Sequence, residues 1–306
     1  MAQSKVQIGH EYAIARALLS GFGILPRSWA IALGRLLGLV AYLLPTKLRR
    51  TGLRNLDIAF PDLPLKEKRR LLRGCFQSLG RLLAEFSQFP RLTRERLRQM
   101  IDYDEVGLAH LRAAEAAGRG VIFLTGHLGA WEVLSFGWSA LEYPLNFMVR
   151  PIDNPRIEAL VERMRTRFGN VAIDKKSAAR RALKALHQGG ALGILSDLNT
   201  QEREGVFVPF FGRLACTNAG IATLALKTEA VVIPTVAIWD AKRRKYFFHG
   251  EPAVELVRTG DHARDVELNT ARFAAAMERM IRLYPEQWLW IHRRWKTRPP
   301  GEPEIY

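Results

Sequence analysis

Val121-Ile-Phe-Leu-Thr-Gly-His127-Leu-Gly-Ala-Trp-Glu132 is the stretch on which the reading of this chain turns. Val121 to Thr125 form a short apolar run without polar alternation, the pattern of a strand buried on both faces. Gly126 interrupts the run, and a helical pattern follows at about 129–142. Strand, turn and helix place His127 at the strand's C-terminal end, where open α/β sheets bind their ligands. Glu132 falls early in the helix and can fold back toward the imidazole. A carboxylate on one ring nitrogen fixes the tautomer and leaves the other nitrogen free as a general base. Gly126 and Gly129 give the turn conformational freedom and leave room for a substrate. On these residues alone, a hydrogen-bonded structural histidine fits as well as a catalytic one. H-E-x-x-H spacing and a third ligand are both missing, so no metal site is expected. G-x-S-x-G is missing too, which argues against a serine hydrolase.

The same alternation continues toward the C-terminus. Leu145–Val149, Ala191–Leu195 and Val231–Ala237 read as strands, with helical candidates at 154–168, 177–188 and 217–228. Tyr246–Gly250 and Ala253–Val257 read as two further strands, and 264–284 as a closing helix. The expected fold class is α/β, with a mixed central sheet flanked by helices and an N-terminal helical membrane-docking segment.

Upstream, Leu71, Leu72, Cys75, Phe76, Leu79, Leu82, Leu83 and Phe86 recur at helical spacing and predict an amphipathic helix over 65–89. Another helix is expected at 104–117. Residues 12–44 are the most apolar part of the chain. The run Trp29–Leu44 is interrupted by Arg35, closed by Pro45 and followed by Lys47, Arg49, Arg50 and Arg54. It falls short of the ~20 apolar residues a spanning helix needs. An interfacial helix fits better, with Trp29 and Tyr42 at headgroup level and the cations on anionic lipid. A buried helix of a soluble core is the plainer alternative. The chain thus divides into an apolar, membrane-associated helical segment over 1–60 and an α/β domain over 61–306.

Of 306 residues, 48% are hydrophobic, enough for a large core. Lys and Arg number 46 against 30 Asp and Glu, a net charge of +16. That excess favours a polyanionic partner: an anionic membrane, an acidic carrier protein or nucleic acid. Zinc-finger spacing, RNP-type aromatics and long basic tracts are all missing, so nucleic acid is the weaker reading. Cys75 and Cys216 lack a pairing or metal-ligand spacing and read as reduced thiols. The N-terminus lacks the order of features that marks a secretory signal.

His127-x-x-x-x-Glu132 at a strand-to-helix turn resembles the first motif of the lysophospholipid acyltransferase superfamily, in the branch of the lipid A late acyltransferases (lauroyl and myristoyl transferases). Asn146–Pro151 with Asn154-Pro155 is similar to its second motif. Leu195-Ser-Asp197, Glu204–Gly212 and Thr217 are similar to its third region, and Val232-Ile-Pro234 to its fourth. Arg54–Pro61 and Tyr284–Lys296 resemble its N- and C-terminal regions, so the resemblance covers roughly residues 45–300. Ala130 and Leu198 depart from the family's frequent Asn and Gln, which bears on the acceptor more than on the reaction.

The resemblance implies transfer of a fatty acyl chain from a thioester, on acyl-carrier protein or coenzyme A, to a hydroxyl of an anionic glycolipid such as a lipid A precursor. His127 is then the general base, and Glu132 orients it. No metal or organic cofactor is implied. Arg150 is the implied holder of an acceptor phosphate, by paired hydrogen bonds. Asp197 is implied to hold Arg150, or to orient substrate or loop, while Arg213 and Thr217 are weaker binding candidates. His292–Arg298 reads equally as an anion-binding patch and as a solvated face with Trp anchors. The implied location is the cytoplasmic face of the bacterial inner membrane. A lysophospholipid or phosphoinositide glycolipid acceptor stays open, as does a non-catalytic binder of anionic membrane or nucleic acid.

Overall fold

The computed structural model describes residues 5–149, 151–174 and 178–306. Four helices come first: α1 (Lys5–Ile24), α2 (Arg27–Leu43), α3 (Lys47–Ala59) and α4 (Leu65–Gln88). Then follow α5 (Arg94–Met100), β1 (Ile101–Tyr103), α6 (Glu105–Ala116), β2 (Val121–Thr125), α7 (Trp131–Leu141) and β3 (Asn146–Val149). The chain continues through α8 (Pro155–Arg165), β4 (Val171–Asp174), α9 (Ala178–His187) and β5 (Ala191–Leu195). It ends with β6 (Gly205–Phe210), β7 (Arg213–Asn218), α10 (Gly220–Thr228), β8 (Val231–Asp240), β9 (Lys245–Gly250) and α11 (His262–Leu283).

Among the described residues, seven strands form one sheet in the order β1-β9-β8-β2-β5-β3-β4. All neighbours run parallel except β8 and β9. The sheet is therefore mixed and flanked by helices, as the alternation predicts. All five residues of β2 are buried, which explains the unbroken apolar run. Ile122 and Leu124 face a core shared with α9, α10 and α11, while Val121 and Phe123 face one shared with α7.

Two expectations need correction. Ala253–Val257 is not a strand: within that run only Val254 makes a bridge, to Val232. Pro252 has no N–H to give, and past it only the Val254 N–H donates to β8, to the Val232 carbonyl. Conversely, β6 and β7 form a separate antiparallel hairpin where the sequence showed only a motif.

The N-terminal helices pack by their small residues. Ala30, Gly34 and Gly38 lie four apart on α2 and are buried against α4. A Cβ on Gly34 would sit 2.2 Å from the Gly80 carbonyl oxygen, and one on Gly38 would sit 2.2 Å from that of Phe76. Such close approach uses up the glycine face and leaves the leucine face outside. Trp29, Leu33, Leu36, Leu37, Val40 and Leu43 are all exposed. No single helix among the described residues is long and apolar enough to cross a bilayer, but α2 and α3 pass that test together as a pair bent by 86°. Asn55 of α3 donates to the Trp290 and His292 carbonyls, tying this segment to the C-terminal end of the chain.

Candidate active site

The site is built where β2 and β5 end side by side. Thr125 pairs with Leu195, and the Ser196 N–H donates to the Thr125 carbonyl at 2.9 Å. That register sets Asp197 beside the turn carrying His127. His127 Nδ1 lies 2.9 Å from Asp197 Oδ1, and the His127 backbone N–H donates to Oδ2 at 2.7 Å. Trp288 Nε1–H donates to the same Oδ2, also at 2.7 Å. A Cβ on Gly126 would lie 2.8 Å from the Asp197 carboxyl carbon, so it is the glycine that admits the carboxylate. The space expected there for substrate is taken by Asp197. Gly129 adopts φ +69°, the left-handed conformation that favours glycine.

Burial alone would raise the Asp197 carboxyl. The His127 imidazole and the hydrogen bonds from His127 and Trp288 outweigh it and hold the group below 3.8. Asp197 is thus an anion facing His127 Nδ1, an acceptor that favours the tautomer with its proton on that nitrogen. The histidine side chain keeps 17% of its surface open.

Glu132 does something other than expected. Both its oxygens are taken by Arg165, Nε to Oε2 at 2.9 Å and Nη2 to Oε1 at 2.5 Å. This bidentate pair replaces the expected Glu132–His127 bond, and Asp197 holds His127, while its expected partner Arg150 falls outside the described residues. The correction has a steric basis: β5 delivers a carboxylate to the inner ring nitrogen, while Glu132 on α7 points at the end of α8. Asn154 caps α8 through the Arg156 and Ile157 N–H groups, with Pro155 in its first turn, so Asn154-Pro155 sets the helix that carries Arg165. Asn170 then ties the Arg165 carbonyl to Ser135 of α7.

An apolar cavity opens beside this pair, between α7 and the sheet. Its empty space, open solvent at the surface included, is about 660 Å³, of which the room for the centres of water-sized molecules is about 80 Å³. Partly exposed Glu132, Arg165 and Trp131 line it together with buried Phe123, Trp138 and Leu145. The Trp131 indole stands edge-on to His127, with ring centroids 4.9 Å apart, and so joins cavity to histidine.

The arrangement has relatives. The profile of the bacterial lipid A biosynthesis acyltransferases matches residues 4–297. The chain belongs to that family. It is 32% identical over 260 residues to the lipid A biosynthesis lauroyltransferase of Escherichia coli (strain K12), covering 83% of this chain and 80% of that one. It is 28% identical over 310 residues to the palmitoleoyltransferase of the same organism, covering 98% of each. To the myristoyltransferase it is 24% identical over 291 residues, covering 95% of this chain and 88% of that one.

The chain is accordingly an O-acyltransferase, and the remaining site residues can be placed within that family. Arg150 lies outside the described residues. Thr217 is buried and accepts from Arg294 Nη2 at 2.5 Å, so it serves the frame. Arg213 opens β7 at the hairpin turn, and no contact among the described residues joins it to His127. Arg294 is buried, donates to the Cys216 and Leu198 carbonyls and lies over the Phe210 ring. Burial lowers it from 12.5 to about 10. It clamps the β6–β7 hairpin to the loop following Asp197. The 292–298 stretch is therefore partly internal, with Arg294 and Trp295 buried and Arg293 and Lys296 exposed. Sequence reasoning missed Arg165 and Trp288. Trp288 lay in a motif already singled out, whereas Arg165 was one of many arginines on a helix.

Proposed function

We propose that this protein transfers a fatty acyl chain from an acyl thioester, carried by acyl-carrier protein, to a hydroxyl of a lipid A precursor at an anionic membrane surface. The observation that carries this reading is the Asp197–His127 pair at the strand ends, joined through the Trp131 ring to an apolar cavity. The names of the relatives supply the acceptor class.

In this reading the acyl chain occupies the cavity and its thioester carbonyl rests at the mouth. His127 Nε2 takes the proton from the acceptor hydroxyl as the oxygen attacks the carbonyl carbon. Asp197 keeps the imidazole oriented and stabilises the imidazolium. Arg165, held by Glu132 with one guanidinium nitrogen to spare, donates to the oxyanion. The C–S bond then breaks, His127 returns its proton to the thiolate, and an ester and a thiol leave. The exposed leucine face of α2, with Lys47, Arg50 and Arg54 at the start of α3, supports docking on anionic lipid.

The test is an in vitro assay with labelled acyl-carrier-protein or coenzyme A thioesters and a panel of acceptors: lipid A precursor, lysophospholipid and phosphoinositide glycolipid. Product mass identifies the acceptor. Transfer to lysophospholipid alone would reject the lipid A assignment.

A further inference from the structure

Gly193 sits at the centre of β5, in register with Phe123 on one side and Phe147 on the other. A glycine inside a strand weakens it, and one is kept there for a bulge, a bend or the close approach of a ligand. The pairing of β2 with β5 runs unbroken from Val121–Ala191 to Thr125–Leu195, so no bulge lies on that side, while the pairing with β3 ends at Phe147–Gly193. The φ of Gly193 is not positive, so the backbone does not require a glycine. Nor does packing: a Cβ there would meet only Leu145 Cδ1 at 3.6 Å and the Asn146 carbonyl oxygen at 3.9 Å, both ordinary contacts. Gly126 and Gly129 are different, since added Cβ atoms there collide at 2.7 and 2.1 Å. What the missing side chain at 193 leaves open is the cavity that Gly193, Phe123, Phe147 and Leu145 line together.

Its depth in that cavity can be placed. Trp131 and Glu132 are partly exposed, whereas Trp138, seven residues further along α7 and ~10 Å away at 1.5 Å per residue, is buried. Gly193 pairs with Phe123, two residues back from the strand end at Thr125, or ~7 Å from it. The glycine is therefore part-way down the floor, and a side chain there would close off the space beyond it.

We propose that Gly193 sets the length of acyl chain this enzyme accepts, the distal part of a saturated chain crossing it between the rings of Phe123 and Phe147. This rests on the reading that the cavity holds the acyl group. The test uses full-length wild type, Gly193→Ala and Gly193→Val with saturated acyl thioesters that differ by two carbons. The ratio of kcat/KM for the longest accepted donor to that for a shorter one is expected to fall roughly tenfold or more in Gly193→Val. Gly193→Ala should show the same shift more weakly. Because an alanine methyl makes only ordinary contacts there, that variant reads the effect even if the valine variant fails to fold. An unchanged length profile in a folded variant, or an equal loss for every donor, overturns the inference. Wild-type enzyme that transfers no acyl chain overturns the acyl-transfer reading and this inference with it.

Discussion

His127 takes its carboxylate partner from Asp197, 70 residues away at the end of a neighbouring strand, with Nδ1 and Oδ1 2.9 Å apart. The geometry makes Asp197 a specifier of tautomer. Replacing it with Asn keeps the shape but removes the charge that favours a proton on Nδ1. Asp197→Asn should lower kcat by about 10²-fold or more, the scale of positioned general-base catalysis. Steady-state kinetics on protein with wild-type circular dichroism checks this, and a kcat near wild type would remove Asp197 from the mechanism.

Glu132 and Arg165 form one unit in the cavity lining, and lysine cannot reproduce a bidentate guanidinium. Arg165→Lys should therefore lower kcat although the charge is kept. The effects of Glu132→Gln and Arg165→Lys should be strongly non-additive in a double-mutant cycle. Additive losses would mean that the two side chains act separately.

Partly buried His292 makes stability sensitive to acid. Burial, reinforced by the charges of His127, Arg294 and Lys296, pushes it from 6.5 down to about 4 despite the attraction of Asp197. The unfolded chain binds a proton near 6.5 while the folded one resists until about 4, so falling pH favours the unfolded state across that window. The melting temperature should decline from pH 6.5 to pH 4. His292→Gln should flatten that slope. Asp197 adds acid sensitivity only below its ordinary 3.8, since its carboxylate is favoured by folding. A wild-type profile flat across the His292 window would contradict this account.

Outward residues of α2 stand outside the core, and the proposed docking surface runs along them. Leu36 is 53% exposed and Trp29 70%. Leu36→Glu with Trp29→Ser should reduce co-sedimentation with anionic vesicles while changing stability by only about 0.5 kcal/mol either way, as surface substitutions do. Gly34→Leu, by contrast, should destabilise the fold, because no room exists against the Gly80 carbonyl. Vesicle binding by the double variant equal to wild type would exclude this face as the docking surface.

Much of the fold was legible because its signals are local. The run Val121–Thr125 had to be a doubly buried strand, and the spacing of Leu71, Leu72, Phe76, Leu79 and Leu83 had to be a helix. At 253–257 local apolarity misled, since a strand also needs a continuous ladder of partners and only Val254 of that run finds one.

The site was legible in membership more than in wiring. His127, Glu132 and Asp197 were recognisable from motif and position. Spacing along the chain nonetheless assigned the imidazole to the carboxylate five residues away, because proximity in sequence is all that a sequence displays.

By itself the sequence determined the alternating elements, the strand-end turn that exposes His127, and a family whose chemistry is acyl transfer. Only the tertiary structure decided which charges meet. Parallel pairing of β2 with β5 brings Asp197 under His127, the cap at Asn154 aims α8 so that Arg165 reaches Glu132, and the indole of Trp288 closes over Asp197. The reason is physical. A hydrogen bond depends on a separation of about 3 Å and on angle. Those quantities come from sheet register and helix docking, which sum contacts over the whole chain.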